Sequence, residues 1–500
     1  MSHMAERAEH LWGGWGDPAN AMALPPSIQS LLGVLNTAPA PATPLADLRP
    51  APSRVDPGPL RDIVGAAHVH TDDATRLRRS GGKSTPDLLR QRAGEVSSAP
   101  DVVVCPSTHD EVQALLTFCS SARLAVVPHG GGTSVVGGLS PQADRYAGVV
   151  AIDLWRLNSL VDLDPVSRIA TLSAGMRAPD AETILNQQGF TLGHFPQSFE
   201  YATIGGFAAT RSSGQASAGY GRFDAMVVAL TVATPAGSLT VGRAPASAAG
   251  PDLRQLFLGS EGTLGIITSV TVRLRPLPPE TTYHGWSFPT FDEGLDAVRA
   301  LAQDGPLPTV LRLSDELEST LQYSTDGALL IVATPHPHPH PLPGATGLGP
   351  EIGEKWLRGR YSGPYLRDAL LDAGAFVETL ETAAFWSRLP QLYRAVRDAF
   401  GDTFLLLCHI SHVYETGASL YFTAVGPMIS PAHWSEVKAA VSDAILANGG
   451  TISHHHGVGT DHRDWYVREV GELAIDTLRA AKRRLDPHGI LNPGVLIPLP

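Results

Sequence analysis

The sequence predicts an α+β fold, and two alternations of strand-like and helix-like stretches carry that expectation. From Val102 to about Pro276, short β-branched runs ("DVVVCP", "LAVVP", "GVVAID", "IATLSAG") alternate with helical stretches such as "HDEVQALLTFCSSA". A second alternation begins near residue 280 with "TFDEGLDAVRALAQDG" and "PTVLRLSDELESTL", and Leu329 to Thr334 reads as a buried strand. Five hundred residues, 43% of them apolar, exceed one ordinary core and supply several. In chain order the reading gives four segments. Residues 1–97 form an N-terminal helical extension, in which the alanine and proline tract of "PSIQSLLGVLNTAPAPATPL" serves as connector. Residues 98–278 and 279–445 form the two α+β domains. The second is interrupted by a mobile loop at 334–353, "TPHPHPHPLPGATGLGPEIG", whose His336, His338 and His340 lie on an extended, solvated strip. Residues 446–500 end in an amphipathic helix and a proline and glycine tail that docks back on the body.

Composition removes several classes of function. The net charge is -12, and no basic run exceeds Lys482, Arg483 and Arg484, so there is no electrostatic footprint for nucleic acid. Cys105, Cys119 and Cys408 are too few and too scattered for a disulfide framework or a zinc ribbon, which fits a reducing compartment and makes the cytoplasm the expected location. The opening residues carry no apolar leader, and no window of about 18 uninterrupted apolar residues occurs, so peripheral membrane contact is the most that is expected.

Three stretches point to a nucleotide cofactor. "LAVVPHGGGTSVVGG" runs a buried strand into Gly130, Gly131 and Gly132, followed by Thr133 and Ser134. Glycines remove the side-chain obstacle, so successive backbone N–H groups can curl into a nest for phosphate oxygens, with the hydroxyls as further donors; a tight structural turn would use the same residues. Neither a Walker A sequence nor a Rossmann fingerprint is present. "GHFPQSFEYATIGGFAATRSSGQASAGYGRFDAMVVALTVATPAG", residues 193–237, is rich in small residues, as a wall facing a large flat ring requires. The third stretch, "LGSEGTLGIITSVTVRLRP", enters a strand of strict alternation. A different pattern, "TISHHHGVGTD", sets His454, His455 and His456 side by side. In an extended segment His454 and His456 share one side while His455 faces away, which is poor spacing for a metal, and no metal is expected.

Together these motifs resemble the FAD-binding domain of the vanillyl-alcohol oxidase and p-cresol methylhydroxylase (PCMH) superfamily. Within it the chain is most similar to the alkyldihydroxyacetonephosphate synthases, through "GGWGD", "PHGGGTSV", "GHFPQSFEYATIGGFAATRSSG", "GPD", "LGSEGTLGIIT", "LRLSD", "PYLRD", "GASLYF" and "HHHGVG", which span nearly the whole chain. The resemblance implies a two-subdomain FAD-binding domain of PCMH type, and a cap domain whose antiparallel sheet, covered by helices, closes over the flavin. It implies FAD, a small-molecule or lipid-like substrate, and a homodimer. Covalent members carry histidine where this chain has Thr133, so the FAD is expected to be non-covalent, with His129 structural.

The cofactor residues implied by the resemblance are Pro128, His129, Gly130, Gly131, Gly132, Thr133 and Ser134; Pro196, Ser198, Thr203, Gly206, Thr210, Arg211, Ser213 and Gly214; and Glu261, Gly262, Gly265, Ile266 and Ile267. The implied catalytic residues are Tyr421, His454, His455, His456, Arg312, Arg367 and His194. Tyr421 is expected to carry a proton once neighbouring cations lower its pKa, the arginines to hold phosphate or carboxylate, and the histidine run to donate hydrogen bonds and move protons beside the flavin. The implied reaction exchanges the acyl chain of an acyl-dihydroxyacetone phosphate for a fatty alcohol without net redox. The rival is a flavin oxidoreductase, a dehydrogenase or oxidase, acting on a D-2-hydroxy acid or an alcohol, because one scaffold hosts many chemistries; the metal-supporting "HxGDGNxH" pattern of such dehydrogenases is absent. Two departures from the synthase pattern stand out. His409 follows Cys408 where arginine is usual, and "YFTAVGPM" lacks the aromatic residues that usually follow the tyrosine.

Overall fold

A computed structural model describes residues 9–25, 28–29, 32–33, 37–278, 280–335 and 342–499. Two large hydrophobic cores organise it, one in each half.

The first core is built on two sheets. One has four strands in the order Val69–His70, Val102–Val104, Val149–Asp153, Ala125–His129; the last three run parallel and the first pairs antiparallel with its neighbour. Parallel strands are covered on both faces, which is why these read as unbroken apolar runs rather than alternations. Helix His109–Ser121 makes the crossover, capped by the Thr108 hydroxyl accepting the Glu111 N–H, and buries Val112, Leu115, Leu116 and Cys119 at helical spacing. The other sheet has five antiparallel strands in the order Leu160–Asp164, Ile169–Ser173, Ile266–Arg273, Val227–Thr234, Gly237–Val241.

The second core lies under an eight-stranded antiparallel sheet, ordered Thr346–Gly349, Thr282–Phe288, Ala328–Thr334, Val310–Ser314, Leu405–Ile410, Gly417–Pro427, Ala375–Phe385, with Val413–Tyr414 paired beside it. The period-two pleat sorts its side chains. Leu420, Phe422, Cys408, Ile410, Leu313 and Leu380 join the core packed against Trp434 and Phe400. Tyr421, His409, Arg312 and Glu381 alternate with them and emerge on the opposite face. That face carries the candidate site.

Two expectations about the chain's organisation are corrected. Residues 1–97 are not a separate extension: Val55, Leu60, Val64 and Val69 belong to the first core, and Val69–His70 is a strand of its sheet. The stretch 334–353 is not all loop, because Thr346–Gly349 pairs with Thr282–Phe288 and helix Pro350–Gly359 begins inside it. His336, His338 and His340 lie outside the described residues. At the C-terminus, helix Glu472–Leu485 leads to a tail that enters the first core through Ile490, Leu491 and Val495, with Leu491 bridging Val126.

Candidate active site

The glycine loop follows strand Ala125–His129 and is pressed against the segment before helix Ile204–Thr210. A Cβ on Gly131 would lie 2.1 Å from the Tyr201 carbonyl oxygen, one on Gly130 2.5 Å from the Thr203 hydroxyl, and Gly132 has a left-handed φ of +70°. Only glycine permits this approach. His129 Nδ1 lies 3.1 Å from the Gly130 carbonyl, and the residue also lines the cavity beside the loop. The loop, Tyr201, Thr203, Trp155 and residues 9–12 line a solvent-open cavity, about 830 Å³ with the solvent at its mouth included, together with Arg78, Arg79, Lys83 and Arg177. A concave backbone loop with no room for side chains, ringed by cations, fits a dinucleotide's diphosphate.

Other expected cofactor residues stand farther back. Ser134 Oγ accepts the Gly138 N–H, and its carbonyl accepts the Lys83 N–H. Pro196 and Ser198 shape the turn before Tyr201 through carbonyls that accept the N–H groups of Phe199 and Tyr201. Gly206 and Thr210 lie in helix Ile204–Thr210, and the Thr210 hydroxyl donates to the Gly206 carbonyl. Gly214 abuts the Phe195 backbone. Gly262 presses on Pro128, Gly265 on Val232, and Ile266 and Ile267 are buried in their strand. Arg211 does not reach the cavity. It closes the helix in a left-handed conformation and commits its guanidinium to the Leu258 carbonyl, Asp224 and Gln255. Glu261 is likewise a latch: its buried carboxylate accepts the N–H groups of Val458 and Gly459, joining the first half to the "HHHGVG" loop, and burial pushes its pKa up to about 7.

On the second sheet, antiparallel register sets Glu381, Tyr421, His409 and Ser314 in one row across four strands. Residues directly opposite share a face, so the row is a continuous polar stripe across the sheet. Tyr421 stacks on His409 with centroids 4.7 Å apart and meets His456 edge-on at 5.5 Å. Its pKa does not fall as expected. Burial pushes it up to about 12, outweighing the Thr379 hydrogen bond and the charge of Arg367, so the phenol keeps its proton at neutral pH.

The histidine run is wrapped around Glu381, which is only 1% exposed. The backbone N–H groups of His454, His455 and His456 and the Ser453 hydroxyl all donate to its carboxylate. Burial alone would raise the Glu381 pKa, but His455 and these neighbours hold it well below the usual range. The run is therefore a turn that makes an anion nest, not an extended segment, and this corrects the expected side-chain pattern. His455 does not face away from its neighbour: His454 Nδ1 is 3.0 Å from His455 Nδ1. His412, His454 and His455 bring ring nitrogens within 4.8 Å of one another. Hydrogen bonds already use several of these atoms, since His412 Nδ1 meets the hydroxyls of Ser213 and Ser217 and His454 Nε2 lies 2.6 Å from the Tyr414 hydroxyl. Burial lowers the pKa of His412 and His454 well below the ordinary value and that of His456 to about 3, so these rings are neutral. His194, held by burial at about 3, is neutral too; its Nε2 meets Ser212 and its Nδ1 has no partner among the described residues.

The two arginines differ. Arg312 pairs with Glu318 at 2.6 Å and keeps a buried Nε without a partner among the described residues, a donor available to an anion. Arg367 donates to the Lys83 carbonyl and to Asp368, and its charge acts on Tyr421. Sequence reasoning missed Glu318, Glu381, His412 and Lys83. Burial raises the Glu318 pKa, but Arg312 and the charge His409 carries when protonated bring it down to about 2; near neutrality burial and Arg312 leave the His409 ring neutral, and Glu318, an ionised acceptor 3.0 Å from His409 Nδ1, fixes its proton there and leaves Nε2 with a lone pair. The signal for Lys83 was "SGGKS", a second glycine pair: a Cβ on Gly82 would lie 2.1 Å from the Ser134 carbonyl oxygen.

Comparison with known proteins agrees with this geometry. Residues 100–242 match the family described as FAD binding domain, and residues 277–341 and 350–496 match FAD linked oxidases, C-terminal domain. An alkyldihydroxyacetonephosphate synthase of Dictyostelium discoideum is 30% identical over 97% of this chain and 93% of its own. A solved structure of alkyldihydroxyacetonephosphate synthase superposes with a TM-score of 0.81 at 28% identity, covering 97% of this chain and 98% of that one. The structure of p-cresol methylhydroxylase shares the fold alone, with a TM-score of 0.63 at 16% identity over 88% of this chain and 96% of that one. The chain is an enzyme of the PCMH-type fold whose cofactor is FAD, and it belongs to the alkyldihydroxyacetonephosphate synthase family.

Proposed function

We propose that this chain is an FAD-dependent alkyl transferase that exchanges the acyl chain of an acyl-dihydroxyacetone phosphate, or a related ester, for a fatty alcohol without net redox. The observation that carries the reading is the pairing of a proton-bearing phenol with a neutral imidazole: Tyr421 stacked on His409, whose Nδ1–H is held by Glu318. Bound FAD supplies an electrophilic ring at which a carbon substituent can be exchanged. His409 Nε2 then accepts the proton that leaves the substrate carbon, Glu318 steadies the imidazolium, and Tyr421 donates its proton to the departing carboxylate oxygen. One C–O bond breaks with its electron pair leaving on the carboxylate, another forms to the alcohol oxygen, the alcohol's proton restores the Tyr421 phenol, and the His409 imidazolium returns a proton to the substrate carbon; no electrons are left over. Arg312, through its unpartnered Nε, is a donor for the substrate's phosphate.

A second cleft supports a long apolar chain. Phe195, Phe199, Tyr220, Tyr283, Val310 and Leu357 line a cleft of about 1050 Å³, including its open mouth, and the Arg360 guanidinium lies 4.7 Å over the Phe195 ring. It adjoins the polar site through Ala216, next to Ser217, which contacts His412. We further propose that FAD is held non-covalently, since Thr133 stands in the loop, and that the enzyme works as a homodimer in the cytoplasm, in keeping with three free, buried cysteines. Among the described residues no helix is long and apolar enough to cross a membrane, and any membrane contact proposed is peripheral.

The test is incubation of the yellow protein with palmitoyl-dihydroxyacetone phosphate and hexadecanol. Palmitate and the ether product are expected in equal amounts, and Tyr421→Phe is expected to lower the rate by about 10²-fold or more with the flavin spectrum unchanged. Bleaching of the flavin by a D-2-hydroxy acid, with no exchange, defeats the proposal; loss of flavin from the variant makes Tyr421 a structural residue instead.

A further inference from the structure

We propose that Lys83 is the cation that binds the diphosphate of FAD in the cavity of the glycine loop. Four cations line that cavity. Three are already engaged by protein oxygens: Arg78 donates to the His10 carbonyl, Arg79 to Asp153 and to both carboxylate oxygens of Glu9, and Arg177 to Asp180. Lys83 is 7% exposed, yet its ammonium makes no hydrogen bond or ion pair with any described residue. A buried, unpaired ammonium costs several kcal/mol of lost hydration unless an anion joins it, so the position is unfavourable in the free chain and favourable once an anion enters.

The backbone aims this lysine at the loop. The Lys83 N–H donates to the Ser134 carbonyl at 2.6 Å, an approach possible because the preceding residue is Gly82. On the other side, the Arg367 guanidinium holds the Lys83 carbonyl at 2.6 Å, and helix Thr85–Arg92 starts directly after it, capped by Ser84. The main chain is thus fixed on both sides while the side chain reaches the cavity walled by Gly130, Gly131 and Gly132. Burial, with the like charges of Arg367 and Arg78 opposed by Asp368 and Asp87, lowers the Lys83 pKa to about 7, the condition of a cation awaiting its counter-charge.

The test uses apo-protein made by stripping the flavin, with rebinding followed by quenching of flavin fluorescence. Lys83→Met is expected to weaken FAD by about tenfold or more, and to weaken ADP as a competitor of FAD by a similar factor, because both carry the diphosphate; riboflavin, which has none, is expected to bind native protein and variant alike. Lys83→Arg keeps the charge and is expected to restore FAD affinity to within a few-fold. If Lys83→Met does not fold, as judged by circular dichroism, Lys83→Gln takes its place. FAD affinity unchanged by loss of the charge overturns the proposal, and so does an equal loss of riboflavin binding, which would assign the lysine to the ring or to the fold.

Discussion

Glu381 shows how one residue can organise a site without touching substrate. Three consecutive N–H groups and a serine hydroxyl converge on it, and the imidazoles of the histidine run are held in place because their backbone is. Its folded pKa is depressed, so the stability it contributes is fully present above the ordinary glutamate pKa and is lost as pH falls through the lower folded value. Glu381→Gln removes the charge that accepts these bonds and is expected to cost about 2 kcal/mol near neutrality, within the range for hydrogen bonds to charged groups. In urea titrations the gap between native protein and variant should be constant from pH 6 to 8 and shrink below about pH 4. A gap that persists undiminished to pH 3 would refute this role. At this scale the sequence was partly legible. The nest of Gly130 to Gly132 could be read because glycine types imply close backbone approach, and Tyr421 only through the family resemblance that "GASLYF" carries. The partners Glu318 and Glu381 lie 91 and 74 positions from His409 and His455, and nothing local in the sequence announces such pairs.

Elements explain why the stripe and the apolar cleft adjoin. The strand Val310–Ser314 serves both: Val310 lines the cleft, while Arg312 and Ser314 stand in the polar network with Glu318. The strand Thr346–Gly349 was hidden because its glycine-rich sequence, "TGLG", has little strand propensity; pairing with Thr282–Phe288 imposes the conformation. Helix Pro350–Gly359, which follows it, contributes Leu357 to the cleft. If the cleft receives the chain, each buried methylene adds roughly 0.8 kcal/mol, so KM for the alcohol should fall about fourfold per carbon until the cleft is full. Leu357→Trp narrows it and is expected to move the best chain to a shorter length, measured across C8 to C18 alcohols. An unchanged length profile would mean that the chain lies elsewhere.

Across the whole molecule, the two cores were legible from their alternating patterns and the return of the C-terminal tail was expected, but the entry of Val55, Leu60, Val64 and Val69 into the first core was not. The N-terminal residues help line the cofactor cavity, with His10 Nε2 2.9 Å from the Gly131 carbonyl, and the C-terminal tail enters the first core beside strand Ala125–His129. The N-terminal entry depends on tertiary packing that periodicity does not report. The consequence is a cofactor cavity lined by Lys83 and a polar stripe whose Tyr421 feels the charge of Arg367, the residue that holds the Lys83 carbonyl, with proton donor and acceptor both uncharged. That arrangement suits a reaction in which protons move and no electrons accumulate. The direct measurement is turnover under strictly anaerobic conditions with no electron acceptor, using acyl-dihydroxyacetone phosphate and fatty alcohol. The account predicts exchange through many turnovers, with the flavin returning to its oxidised spectrum. A halt after one equivalent, with the flavin left reduced, would contradict it.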